Sequence, residues 1–164
     1  MAQVRTYSAL VNEINKRVEN AIKIVAEKMV EQLRFYLIED FYNLYDPVYY
    51  KRTNQLRDDA PSYEMLSKNM AKIFIDGSKL KYRDATGYEV ASMASLGFHG
   101  NINIFRPGFY WTDFVNWADK NVPNLLKEEL KKQGLNARWW YICSPVYLLG
   151  GLFLCSKIDK EVLN

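Results

Sequence analysis

Leu10, Ile14, Val18, Ile22, Val25, Met29, Leu33, Leu37, Phe41 and Leu44 recur every three or four positions, with Glu, Lys, Arg and Asn between them. That spacing lays one apolar stripe along a helix. With Thr6 or Ser8 as N-cap and Asp46-Pro47 as the stop, it predicts a single amphipathic helix of about 37 residues, roughly 55 Å long at about 1.5 Å each. The chain has 164 residues, enough for one domain with its own core and too few for two of ordinary size. Such a helix is longer than one small core requires. Part of its stripe is therefore expected to face something outside the protomer.

The following elements are shorter. In "MAKIFIDGSKLKYRD", Ile73 and Ile75 alternate before Asp76-Gly77, and Leu80 and Tyr82 alternate after it, which predicts a β-hairpin turning at Asp76-Gly77. Thr86 and Glu89 then have capping-box spacing, and Gly97 stands where a helix end favours positive φ, so a short helix fits between them. "FHGNINIFRPGFYW" reads as a loop, with a strand allowed through Ile102 and Ile104. From Thr112 a second long helical pattern runs through Phe114, Val115, Ala118, Val122, Leu125, Leu126 and Leu130. Pro123 is expected to kink or split it, and Gly134 to end it, with Lys131 and Lys132 favourably placed for the helix dipole.

The stretch from Trp139 to Ser156 carries no charge, at the short limit for a membrane span. Pro145 and the paired Gly150-Gly151 disfavour one continuous helix, so two strands meeting at those glycines are predicted, with no stable membrane association. The fold class that results is α+β: two long helices packed on a small antiparallel sheet, residues 1–135, extended by an aromatic-rich β-hairpin and tail, residues 136–164, of the same domain.

Several chemistries find no support in the spacing. Cys143 and Cys155 lie in apolar runs, where cysteine serves as a small hydrophobe, and with the single His99 they are too few for a structural zinc site. A thiol nucleophile activated by His99 would define a hydrolase, with Glu89 or Asp113 as accessory carboxylates, yet nothing in their order assembles one. Glycine-rich phosphate loops are absent. Lys127, Lys131 and Lys132 are interleaved with Glu128 and Glu129 and read as a solvated helix face. Net charge is +3, with no Lys/Arg block longer than two, so no dedicated nucleic-acid surface is indicated and DNA enters only as a weak neighbour. No catalytic residue, cofactor or metal is expected. The N-terminus lacks the apolar run of a secretory signal, which places synthesis in the cytoplasm.

The unusual quantity is 15% aromatic residues, 12 of them Tyr and 4 Trp. Such rings suit places apolar on one side and wet on the other. "YDPVYYKRTNQLRDDA" sets Tyr45, Tyr49 and Tyr50 beside Lys51, Arg52 and Arg57, the composition of interface anchors. The same tyrosines could equally close the helix end over the core. Arg106 and Trp111 of the "RPGFYW" loop, and Trp139, Trp140 and Tyr147 of the uncharged run, are further interface candidates.

The order of these features resembles the tail-completion or neck proteins of long-tailed bacteriophages over Ser8 to Leu135. Many of those follow the first helix with a turn of the type R-T-G-x-L-R-x-S. Arg52, Thr53, Leu56 and Arg57 match it, while Asn54 stands where glycine is frequent and Asp59 where serine is. The resemblance implies a virion protein of the head–tail connector, without catalysis. It implies a homo-oligomeric ring, a hexamer or higher, between portal, adaptor and tail-tube proteins. Alternatives are another virion or tail-like particle component and, in a different class, a small membrane-anchored protein.

Overall fold

The computed structural model describes residues 6–47, 51–98 and 109–135, and the backbone of 151–155. Its elements are α1 (Tyr7–Leu37), α2 (Gln55–Asp58), β1 (Pro61–Ser67), β2 (Met70–Ile75), α3 (Gly87–Ser95), α4 (Tyr110–Lys132) and β3 (Gly151–Cys155). The class is α+β, as the sequence predicts. α1 packs against α4 along one side and against β1 and β2 along another.

α1 is regular for 31 residues, about 46 Å, and then widens into a single π turn, Ile38–Tyr42. Thr6 holds the N-cap position in extended backbone but makes no side-chain capping bond. The stripe seen in the sequence is the core: Val18, Ile22, Val25, Met29, Leu33 and Leu37 are all essentially sealed from solvent. At its start it is open, with Tyr7 72% and Leu10 42% exposed, and Ile14 is half-buried against the core. The reason is geometric. Arg17 Nη1 donates to the Gln133 carbonyl at 3.0 Å, so α4 ends beside Arg17 and the first turns of α1 extend past it.

α4 runs antiparallel to α1, since Phe41 meets Tyr110 at one end and Arg17 meets Gln133 at the other. It begins at Tyr110, earlier than the sequence suggests, and Gly134 follows its end with φ of 77°. Pro123 neither splits it nor ends it. An internal proline costs about 3 kcal/mol. Burial of Val122, Leu126 and Leu130 on the helix's inner face outweighs that.

The hairpin lies elsewhere than expected. β1 and β2 pair antiparallel from Pro61↔Ile75 to Ser67↔Met70, so the turn is Lys68-Asn69 and Asp76-Gly77 is not a hairpin turn. The Asp76 carboxylate accepts from the Ser78 N–H, which carries the chain out of β2 into a 3-10 turn, Gly77–Lys79. Tyr82 and its neighbours form no strand. The two glycines here serve close packing. A Cβ on Gly87 would sit 2.0 Å from the Gly77 carbonyl oxygen, so the start of α3 rests directly on that turn.

α3 follows its sequence signals closely. Thr86 Oγ1 accepts from the Glu89 N–H while the Glu89 carboxylate accepts from the Thr86 N–H at 2.8 Å, a complete capping box. At the other end Gly97 has φ of 86°, with Phe98 N–H bonded to Met93 O and Gly97 N–H to Ala94 O.

β3 adds to β2 antiparallel, from Met70↔Cys155 to Phe74↔Gly151, giving the sheet order β1-β2-β3. A strand at 151–155 means that the uncharged run is not one continuous helix. The predicted partner strand before Gly150, and the strand through Ile102 and Ile104, lie outside the described residues. No helix among the described residues is long and apolar enough to cross a membrane.

Candidate functional site

The stretch after α1 is built around Tyr42. The π turn delivers Tyr42 and then Asn43, whose N–H closes on the Ile38 carbonyl at 2.8 Å. The chain returns through Arg52 to Asn54, which has φ of 57° and ψ of 8° and opens α2. That left-handed geometry accounts for one of the two departures from the R-T-G-x-L-R-x-S pattern, Asn54 in place of glycine, and leaves Asp59 in place of serine unexplained. Asn is the ordinary residue that best tolerates the conformation glycine supplies. Leu56 then drops into the core at 2% exposure, and Arg52 and Arg57, which flank it in sequence, both lie against the Tyr42 ring.

The Arg52 guanidinium lies 5.1 Å from the Tyr42 ring centre and 5.8 Å from that of Tyr45, and its Nη1 donates to the Tyr42 carbonyl at 2.8 Å. It thereby supplies a donor to one of the carbonyls left open at a helix end. Arg57 approaches the same Tyr42 ring at 5.8 Å and forks onto Asp58, Nε to Oδ1 at 2.6 Å and Nη2 to Oδ2 at 2.9 Å. Burial pushes the Tyr42 phenol up to about 12, with Tyr82 adding to the effect and Arg57 and Arg52 opposing it. Tyr42 is therefore neutral at physiological pH. Arg34 completes the group from α1, donating Nη2 to the Asp58 carbonyl at 3.3 Å.

Of the residues singled out in the sequence, Tyr45, Arg52, Leu56 and Arg57 are brought together here, and Thr53 lies exposed on the turn. Trp111 is elsewhere, half-buried on α4 with its ring 5.6 Å from Phe114. Tyr49, Tyr50, Arg106, Trp139, Trp140 and Tyr147 lie outside the described residues. So do His99 and Cys143, and of Cys155 only the backbone is described. Sequence reasoning missed Arg34 and Tyr42. Both sit inside the helical pattern, where nothing local distinguishes them from other members of a polar or apolar face.

The carboxylates considered for catalysis have other surroundings. Glu89 is engaged in its capping box. Asp113 lies in the first turn of α4 and, after desolvation, is the larger of the two charges that push the Asp40 carboxyl above the usual range, Glu39 being the other. Glu129 corrects the reading of a solvated face. It is 4% exposed and accepts from Lys28 at 2.6 Å and Lys132 at 2.8 Å, bonds that hold its carboxyl below the usual range. Among the described residues no group of three His, Cys, Asp or Glu side chains is placed to hold a metal ion.

Neither a curated protein nor a solved structure matches the chain. A family model does, that of YomN, over residues 6–134. These bounds run from the N-cap of α1 to the glycine that follows α4, nearly those over which the sequence resembles the tail-completion proteins. With its turn at Asn54 and its two long helices inside that match, the chain belongs to the YomN family, a phage-associated family.

Proposed function

We propose that this protein is a structural component of the phage virion, acting in the head–tail connector or neck as an oligomeric ring between portal and tail, with no catalytic role. The observation that carries the reading is the turn at Arg52 to Arg57. Asn54 adopts the left-handed conformation at the position where the tail-completion pattern has glycine, while the matching Leu56 anchors the turn in the core. Asn54 therefore keeps the backbone conformation that glycine would supply there, while Asp59 still stands where serine is frequent. Membership in a phage-associated family agrees with the reading. So does the open start of the α1 stripe, where Tyr7 and Leu10 present apolar surface beyond the end of α4, as a subunit flanked by neighbours would.

The test is twofold. Purified particles should contain the chain at a stoichiometry consistent with a ring. The isolated protein, measured by light scattering with and without portal and tail components, should pass from a smaller species to a closed oligomer. A chain that stays monomeric under all these conditions and never appears in particles would sink the reading.

A further inference from the structure

We propose that Arg34, Arg52 and Arg57 form a receptor for a carboxylate-bearing, acidic segment of a neighbouring protein. Three guanidinium groups converge on the turn with one carboxylate among them, Asp58, and that carboxylate is taken up by Arg57. Among the described residues neither Arg34 nor Arg52 has a carboxylate at salt-bridge distance; each makes one hydrogen bond, to a backbone carbonyl.

A second observation is independent of charge. Among the described residues, the buried side-chain polar atoms without a hydrogen-bond partner are Arg34 Nε, Asp40 Oδ2 and Arg52 Nη2. Two of the three belong to this cluster, and all three lie at or just beyond the end of α1. Shielded N–H groups of this kind cannot be satisfied by bulk water, and buried polar groups in folded proteins are nearly always paired. An arriving carboxylate has two oxygens and can serve two guanidinium forks at once.

A carboxylate is favoured over a nucleic-acid backbone by the immediate surroundings. Asp58 and Asp59 occupy the same turn and Asp46 precedes it. DNA presents a negative charge about every 1.7 Å and would meet these acids as well as the arginines. A carboxylate side chain instead brings its charge to the arginines at one point.

The proposal takes from the assembly reading only the existence of a neighbouring subunit. The binding test uses the full chain with three probes at one salt concentration: a hexaglutamate peptide, inorganic phosphate, and a short DNA duplex. Saturable binding of hexaglutamate is expected, about tenfold weaker in the Arg34→Gln/Arg57→Gln double variant, corresponding to about 1.4 kcal/mol. Arg34→Gln alone guards against misfolding, because it removes one donor to a backbone carbonyl and should leave melting nearly unchanged. Absence of saturable binding, equal or tighter binding of phosphate or DNA, or unchanged affinity in a folded variant would overturn the proposal. Particle incorporation separates the two readings. If wild-type chain enters particles and the folded double variant does so equally well, the receptor is refuted and the structural role stands. If wild-type chain never enters particles, the structural role fails, and the peptide titration still decides the receptor.

Discussion

The two ends of the α1–α4 pair differ in how their polar groups are met. At the end where α4 finishes, Glu129 is buried between Lys28 and Lys132, and Arg17 supplies a donor to the C-cap carbonyl. At the end where α4 begins, Asp40 faces Asp113 and Glu39, its Oδ2 has no partner, and Arg34 and Arg52 leave buried nitrogens unpaired. The same two helices therefore have one end whose charged groups are paired and one end, beside the turn at Arg52–Arg57, where buried polar atoms have no hydrogen-bond partner among the described residues. Apolar packing does not divide this way, since Tyr110, Phe114 and Leu37 are as deeply buried at the second end as Leu126 and Leu130 are at the first.

The largest expected effect tests that last point. Tyr110 is 1% exposed, packs edge-on to Phe41, and donates its hydroxyl to the Ala91 carbonyl at 3.2 Å. Tyr110→Ala should cost about 3–5 kcal/mol in denaturant unfolding. A loss below about 1 kcal/mol would mean that the α4 start is loosely packed as well as polar-unmet, and the comparison would have to be redrawn.

At the finished end, Glu129→Gln should cost about 1–2 kcal/mol at neutral pH, toward the lower figure because both lysines reach solvent. The pH dependence gives the sharper check. Hydrogen bonds from Lys132 and Lys28 hold the Glu129 pKa below its ordinary value of 4.5, so the folded state binds the proton less tightly than the unfolded chain. Its contribution is complete above about 4.5 and is lost as pH falls through the depressed folded value. Wild-type stability should therefore drop more steeply than that of Glu129→Gln in that acid window. Parallel curves would show that the pair contributes nothing.

Asn54 offers an effect of about 1–2 kcal/mol at the other end. Asn54→Val places a β-branched residue at φ of 57° and should destabilise by roughly that amount, whereas Asn54→Gly should lie within a few tenths. Equal melting temperatures for the two variants would show that the turn is not left-handed in solution.

The smallest effect has the opposite sign. Asp40 has its pKa raised, first by desolvation and then by Asp113 and Glu39, so the folded state holds the proton more tightly than the unfolded chain. Stability from this group is highest at low pH and declines as pH rises from 3.8 through the raised value. Asp40→Asn should gain about 0.3–0.5 kcal/mol at pH 7 in the isolated chain and nothing at acid pH. A loss on substitution at neutral pH would reveal a partner for the carboxylate and remove the contrast between the ends.

What could be read from the chain in advance follows from the range of the interactions involved. The α1 stripe, the Thr86–Glu89 box, Gly97 and the strand at Gly151 depend on spacing within a turn or two, so the residues themselves specify them. Asp76-Gly77 misled because its side-chain bond to Ser78 serves a strand exit as readily as a hairpin turn. What excludes the hairpin is the pairing of β2 with the preceding β1 instead of with the residues after Gly77, and the start of α3 at Gly87 then packs on the Gly77 turn. Pro123 misled for a related reason, since its local cost is fixed while the burial that overrides it comes from α1.

By itself, then, the sequence determined the fold class, the two long helices and the turn pattern at Arg52–Arg57, because periodicity, capping and αL tolerance are properties of short stretches. Only the tertiary structure decided that Glu129 is buried, that Pro123 is absorbed, and that Arg34 joins Arg52 and Arg57 around Tyr42. Those outcomes depend on which groups from distant parts of the chain share a dry environment. Desolvation and pairing, which set the energies of charged groups, exist only once the helices and the sheet have packed.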